Sequence, residues 1–474
     1  MGRIKHIHFV GIGGSGMVGI AEVILSQGYR VSGSDLSANA ATKKLKDAGA
    51  EVYHGHHASH IENADVVVRS SAVDLNNVEL VAAKDARIPI VRRAEMLGEL
   101  MRFRYGVAIA GTHGKTTTTS LITSILAEEG VDPTFVIGGK LNSAGGGARL
   151  GAGRYLIAEA DESDASFLYL NPMLSVITNI DADHMATYQN DFSKLRKTFI
   201  DFLNRLPFYG LAVLCIEDPE VKNLLSEVSR PYVTYGFEKD ACYRATLILQ
   251  TGTKMHFVVE RKDSSKLEIK LNLPGKHNVL NALAAIAVAT ELKISDRAIQ
   301  YSLENFSGID RRFQIYGDFN LSKNRKITLV DDYGHHPREI AATLEAAKKS
   351  WLDSRFVMVY QPHRYTRTKD LFDDFVSVLS IPDILILLDV YSAGEEFIPG
   401  ADSLSLKKAI SEKSTNKPFH IKDNARLAEM LNNILKDGDI LIMQGAGNIG
   451  AIAANLSVSN LEESILNNSA KEVT

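Results

Sequence analysis

Lys115 and Thr116 close a glycine-punctuated turn, Gly111-Thr112-His113-Gly114-Lys115-Thr116-Thr117. It joins the apolar run Val107-Ala108-Ile109-Ala110 to a periodic segment through Leu121, Ile122, Ile125 and Leu126. Glycines let backbone N–H groups converge on an anion, and a helix N-terminus adds a favourable field. Lys115 can therefore reach the β- and γ-phosphates of a nucleoside triphosphate, and the Thr116 hydroxyl can ligate the accompanying Mg²⁺. One departure from the strict phosphate-loop pattern is visible: Ile109 stands where a glycine is usual.

Carboxylates follow in order. Tyr155-Leu156-Ile157-Ala158 reads as a strand that delivers Glu159-Ala160-Asp161-Glu162-Ser163-Asp164 at its carboxyl end. Four crowded carboxylates repel one another unless a cation holds them, and hard oxygen donors suit Mg²⁺. Glu159, directly after the strand, is the best metal ligand of the four; an acidic helix start is the alternative. A second strand ends in Thr178-Asn179-Ile180-Asp181-Ala182-Asp183-His184, where His184 can ligate a second ion or orient an amine, or be a structural histidine. His277, Asn278 and Asn281 open a small-residue helix, placed to meet a nucleotide base. Arg311 and Arg312 add guanidinium groups suited to bracing phosphoryl oxygens, with an exposed arginine pair as the plain alternative.

Near the start, Gly11-Ile12-Gly13-Gly14-Ser15-Gly16-Met17 follows an apolar strand, and a second strand delivers Asp35. Alone, this fingerprint says NAD-dependent oxidoreductase. Its physics is less specific, since glycines and a helix N-terminus bind any diphosphate and Asp35 can accept from a ribose or a base. UDP-sugars fit equally, and the oxidoreductase reading leaves the phosphate loop and the acidic cluster unused. Ser70 and Ser71 end a further strand, where hydroxyls suit diphosphate or sugar contact. His54, His56, His57 and His60 resemble a metal cluster, but no carboxylate or cysteine is arranged around them and they lie in a polar connecting segment. A solvated loop is the expectation for that segment.

A chain of 474 residues exceeds one core and points to about three domains. A net charge of −4 gives no general attraction to nucleic acid or anionic membrane. Cys215 and Cys242 make neither a disulfide framework nor a metal spacing, and no stretch reads as a signal peptide or a bilayer span. A cytoplasmic protein without membrane insertion is expected. In the last third, four apolar strands end in polar residues: Asp331-Asp332-Tyr333-Gly334-His335-His336, Gln361-Pro362-His363-Arg364, Asp389-Val390-Tyr391 and Gln444-Gly445. Strands alternating with helices describe a parallel α/β sheet facing a ligand. The tail 460–474 reads as a fraying end.

The segments 111–117, 159–164, 179–184, 277–281 and 311–313, in this order, resemble the Mur ligases, ATP-dependent amide-forming enzymes of peptidoglycan precursor synthesis. That family shares the departure at Ile109. The stretches 11–17, 330–337 and 361–368 most resemble members that join L-alanine to UDP-N-acetylmuramate; a ligase attaching a recycled peptide is the neighbouring possibility. The resemblance implies three α/β domains: a Rossmann-like UDP-sugar domain (1–104), a P-loop ATPase-like domain (105–312), and a Rossmann-like domain (313–474) closing over ATP and binding the amino acid. It implies ATP and Mg²⁺ as cofactors. Gly11, Gly13, Gly14, Ser15, Gly16, Met17, Asp35, Ser70 and Ser71 would bind the UDP-sugar. Gly111 to Thr117, His277, Asn278, Asn281, Arg312 and Asp332 would bind ATP, with Thr116, Glu159 and His184 on metal. Tyr333, His335, His363, Arg364 and Arg367 would hold carboxylate and amino acid, and catalysis would fall to Lys115, His184, Arg312, His335, Arg364 and Arg367. Two positions depart from or fail to match the family: Ala186 replaces the usual Asp after His184-Met185, and Lys197 does not align with the carbamylated lysine of some relatives.

Overall fold

The computed structural model describes residues 3–70, 72–144, 146–262, 264–321, 325–414, 417–422 and 426–458. Ser71 and the 460–474 tail lie outside them. Three sheets form, one per expected α/β domain. By contacts the chain divides into two compact units: residues 1–248, 256–272 and 278–307 make the first, and 249–255, 273–277 and 308–474 the second.

The first sheet contains β1 (His6–Val10), β2 (Arg30–Asp35), β3 (Glu51–His54), β4 (Val66–Arg69) and β5 (Ile90–Arg92), in the order β3-β2-β1-β4-β5. All neighbours are parallel. Every residue of β1 is buried, as expected of a central parallel strand covered on both faces. The strand order reverses beside β1, so a crevice opens where the chain leaves β1 and β4. The glycine turn and Ser70 sit at that place.

The second sheet has β6 (Tyr105–Ala110), β7 (Thr134–Leu141), β8 (Gly146–Arg149), β9 (Tyr155–Glu159), β10 (Leu174–Ile177), β11 (Leu211–Cys215), β12 (Tyr232–Gly236), β13 (Tyr243–Thr251), β14 (Lys254–Arg261) and β15 (Leu267–Leu271). Its order is β15-β14-β13-β12-β11-β10-β6-β9-β7-β8. β6 lies parallel between β9 and β10, so the three carboxyl ends carrying the phosphate loop, the acidic stretch and His184 are adjacent. Val107, Ala108, Ile109 and Ala110 are fully buried. Ile109 is thus a core residue at the point where β6 ends, which is why the turn tightens only at Gly111.

The helix Ser15–Ser26 fastens the first sheet to the second, since a Cβ on its Gly19 would meet Ala148 Cβ at 3.0 Å and Val136 Cγ1 at 3.3 Å. Ile7, Phe9 and Ile20 share one apolar core with Ala108, Val136 and Leu156. Each such buried aliphatic side chain contributes about 1.5–3 kcal/mol relative to exposure.

The third sheet contains β16 (Gln314–Leu321), β17 (Arg325–Asp332), β18 (Phe356–Tyr360), β19 (Ile384–Leu388), β20 (Phe419–Ile421) and β21 (Ile440–Gln444), in the order β16-β17-β21-β18-β19-β20. Only β16 runs antiparallel to its neighbour. Alternation divides β18 between two cores: Phe356, Met358 and Tyr360 enter one, Val357 and Val359 the other. Both faces are therefore covered, and chemistry is left to the carboxyl ends.

For His56 and His60 the structure corrects the solvated-loop expectation, whereas His54 and His57 are exposed. Glu79, from the helix Val78–Asp85, is fully buried and lies 2.6 Å from His60 Nδ1, 3.3 Å from His56 Nδ1 and 3.5 Å from His8 Nε2. That carboxylate arrives from about twenty residues downstream.

Candidate active site

The loop after β6 is built on two left-handed glycines. Gly111 has φ +125° and Gly114 +83°, and any Cβ there would overlap Thr178 Oγ1 and the Asn281 side chain respectively. Neighbouring strand ends hold the loop by hydrogen bonds. Thr178 Oγ1 donates to the His113 carbonyl at 2.6 Å, Asn179 Oδ1 accepts from His113 N at 2.8 Å, and Asn179 Nδ2 donates to the His113 carbonyl at 3.0 Å. Thr112 Oγ1 accepts from Asp181 N at 2.9 Å. Thr116 and Thr117 are buried in the first turn of the helix Lys115–Glu128.

Lys115 Nζ donates to Glu162 Oε1 and Oε2 at 3.0 and 2.8 Å, and to the Gly111 carbonyl at 2.6 Å. Burial opposes its charge, but the carboxylates of Glu162, Asp161 and Glu159 outweigh burial and hold its pKa above the ordinary lysine value. A buried cation facing this much negative charge suits an anionic ligand with its own counter-ion. Glu159 Oε1 accepts from Gly138 N at 2.9 Å, so the Gly138-Gly139 stretch packs against the expected metal carboxylate. His184 has φ +56° and lies 3.5 Å from Asp183. Asn281 Oδ1 accepts from Thr118 Oγ1 at 3.3 Å and its Nδ2 donates to Asn278 Oδ1 at 3.1 Å. The two asparagines therefore back the phosphate loop from the helix Lys276–Glu291.

At the first sheet, Gly11 has φ +81°. The Ser34 carbonyl accepts from Gly11 N at 2.9 Å and Ile12 N at 3.0 Å, and Asp35 Oδ2 accepts from Gly13 N at 2.8 Å. Asp35 thus shapes the turn as well as standing at its mouth. Gly14 caps the helix Ser15–Ser26, whose first turn contains Gly16 and Met17, and Met17 turns its side chain into the core at 1% exposure. Ser70 packs beside Gly11. Arg93 was no candidate in the sequence, yet its guanidinium lies within 3.3 Å of where a Gly16 Cβ would sit, and 3.6 Å from Asp161. The Arg92-Arg93 pair at the end of β5 was the available signal. Glu162 was visible only as one carboxylate among four.

In the second unit, Asp332 Oδ2 accepts from Phe313 N at 2.8 Å, and its Oδ1 from Gly334 N at 2.7 Å and Gln444 Nε2 at 3.0 Å. Asp331 is fully buried 3.3 Å from Arg311 Nε; burial first, with the nearby Asp332 charge, pushes its carboxyl up to about 6 although Arg311 opposes the shift. Arg311 and Arg312 both lie against the Tyr333 ring, at 5.0 and 5.1 Å from its centroid. Arg311 also donates to the Gly445 carbonyl, which commits it to structure. The His335 and His363 rings stand 5.6 Å apart, Arg367 Nη1 reaches His363 Nδ1 at 3.3 Å, and Arg364 pairs with Glu395 at 3.3 Å. His277 lies beside Gly275, and burial lowers its pKa to about 4. Tyr333, His335, His363 and Arg367 are thus brought together at the ends of β17 and β18, whereas Arg364 is turned to a carboxylate of its own chain.

Three family models match consecutive segments: the Mur ligase family catalytic domain over 6–105, the Mur ligase middle domain over 109–289, and the Mur ligase glutamate ligase domain over 311–447. The chain belongs to the Mur ligase family. Like other Mur ligases it is an ATP-dependent, amide-forming enzyme of peptidoglycan synthesis. It is similar to a UDP-N-acetylmuramate–alanine ligase from Thermotoga maritima, with 28% identity, TM-score 0.82, and coverage of 97% of this chain and 100% of that one. A murein peptide ligase from Psychrobacter arcticus matches at 23% identity and TM-score 0.71 over 98% of each chain. A UDP-N-acetylmuramate:L-alanyl-γ-D-glutamyl-meso-diaminopimelate ligase from Neisseria meningitides matches at 27% and 0.60, over 65% of this chain and all of that one. Among the described residues of this Mur ligase no helix is long and apolar enough to cross a membrane.

Proposed function

We propose that this Mur ligase joins L-alanine to UDP-N-acetylmuramate at the expense of ATP. The observation that carries this reading is the full-length likeness to a UDP-N-acetylmuramate–alanine ligase, at 28% identity. The glycine turn at Gly11 to Gly16 takes the diphosphate of the sugar nucleotide, with Asp35 and Ser70 at its edge. The loop Gly111 to Thr117 takes the triphosphate of ATP, with Lys115 moving from Glu162 to the phosphates. Asn278 and Asn281 hold that loop, and His277 and Asp332 complete the nucleotide contacts.

The muramoyl carboxylate attacks the γ-phosphorus, ADP leaves, and an acyl phosphate forms. Lys115 would meet charge that grows on the transferring oxygens, the largest contribution in such reactions, and the family resemblance gives Arg312 the same task. Arg367, with Tyr333, holds the alanine carboxylate, a group that a planar guanidinium suits, and Arg364 would join them only by leaving Glu395. His335, beside His363, takes a proton from the alanine ammonium. The amine then attacks the acyl carbon, and phosphate leaves from the tetrahedral intermediate. The hydroxyl of Thr116 and the carboxylate of Glu159 are hard oxygen donors that fit Mg²⁺, with His184 as a further ligand. Bound there, the ion would neutralise charge on the phosphoryl oxygens.

A second reading, ligation of a peptide rather than one amino acid, is favoured by the likeness to the murein peptide ligases. Phosphate release separates the two. With ATP, Mg²⁺ and UDP-N-acetylmuramate present, L-alanine alone should sustain turnover. Turnover with L-alanyl-γ-D-glutamyl-meso-diaminopimelate and none with L-alanine would replace the first reading by the second.

A further inference from the structure

Beneath the glycine turn of the first sheet lies a buried polar network that the reaction does not use. Glu79 is its hub, fully buried on the helix behind β4. Its Oε2 accepts from Ser34 Oγ at 2.5 Å and lies 3.3 Å from His56 Nδ1 and 3.5 Å from His8 Nε2. Its Oε1 accepts from His57 N at 3.2 Å and lies 2.6 Å from His60 Nδ1. The imidazoles surround the carboxylate itself, so it is the centre of the network and not one ligand of a metal. Ser34 continues it to the turn, because its carbonyl is the acceptor for Gly11 N and Ile12 N and its successor Asp35 holds Gly13 N.

A chain of polar contacts continues from Glu79 into the sheet: His8 Nε2 lies 3.5 Å from Glu79 Oε2, His8 Nδ1 and His6 Nε2 each lie 2.7 Å from Ser32 Oγ, and His6 Nδ1 lies 2.9 Å from the Asn63 carbonyl. Burial pushes His6 below its ordinary pKa.

We propose that Glu79 is a positioning residue for sugar-nucleotide binding: through Ser34 it holds the glycine turn. This rests on the reading of the first sheet as the UDP-sugar site. The groups facing Glu79 are His8 from β1, Ser34 from β2, and His56, the His57 backbone N–H and His60 from the segment after β3.

Calorimetric titration of the full-length enzyme with UDP-N-acetylmuramate tests this. Glu79→Gln and Ser34→Ala should each weaken binding about tenfold, a change of about 1.4 kcal/mol, with KM for ATP unaltered. Should Glu79→Gln not fold, Ser34→Ala carries the same test. Wild-type binding with an unchanged affinity in the folded variants overturns the role of Glu79 alone. No binding by the wild type overturns the sugar-nucleotide reading and this inference with it.

Discussion

Lys115 Nζ and the Glu162 carboxylate form a two-pronged ion pair, 2.8 and 3.0 Å, at the floor of the phosphate loop. The pair leaves the cation with its charge compensated, and on the proposed reading the lysine would exchange one anion for another when triphosphate arrives. Removing the cation leaves Glu162 buried beside Asp161. Lys115→Ala should lower phosphate release by about 10²–10³-fold or more, the range for losing a donor to a developing oxyanion. Steady-state kinetics with circular dichroism as a folding control checks this; near-normal turnover would remove the loop from the mechanism.

Gly114 is left-handed, and a Cβ on it overlaps Asn281. Gly114→Ala should therefore cost about 1–3 kcal/mol of stability through backbone strain, and displace the asparagine that backs Thr118. Asn281→Ala keeps the backbone relaxed. It should raise KM for ATP several-fold with a smaller loss of stability, and thermal melts beside ATP titrations separate the two effects.

Arg311 and Arg312 share the Tyr333 ring, but only Arg311 sits against buried Asp331 and donates to the Gly445 carbonyl. Arg311→Ala should destabilise the protein by about 3–5 kcal/mol, the usual cost of stripping a buried ion of its partner. Arg312→Ala should leave the melting temperature near wild type and lower kcat by about 10²-fold. The reverse pattern would exchange the roles of the two arginines.

Glu79 gives the first sheet an acid limit. Burial alone would raise its pKa, yet His8, Ser34 and His60 bring it down from 4.5 to about 2. A carboxylate whose folded pKa lies below its unfolded one contributes stability above the unfolded value, and that stability is lost as pH falls through the folded value. The window is thus from about 4.5 down to about 2, worth at most about 3 kcal/mol. Urea unfolding near neutral pH and at about pH 3 should show a smaller acid-induced loss in Glu79→Gln than in wild type.

Chelation addresses the acidic stretch. Excess EDTA should abolish phosphate release, and Glu159→Gln should raise the Mg²⁺ concentration for half-maximal activity by about 10-fold or more. An unchanged Mg²⁺ dependence would move the metal role from Glu159 to another carboxylate of the stretch.

Local rules made much of this protein readable before folding. A buried strand, a glycine turn and an amphipathic helix are contiguous in the chain, so the Gly11–Gly16 and Gly111–Thr117 turns announce themselves through backbone requirements that few other residues meet. Parallel α/β order also places polar strand ends on one edge, which made the Glu159 and Asp332 stretches recognisable as site material. Partner choice was decided elsewhere. Lys115 meets Glu162, 47 residues away, and Arg93 comes beside both Gly16 and Asp161. His56 and His60 looked solvated because their carboxylate, Glu79, lies on a helix beyond the next strand. A buried charge takes its partner from whatever the packing brings within hydrogen-bond reach, and separation along the chain carries no trace of that distance.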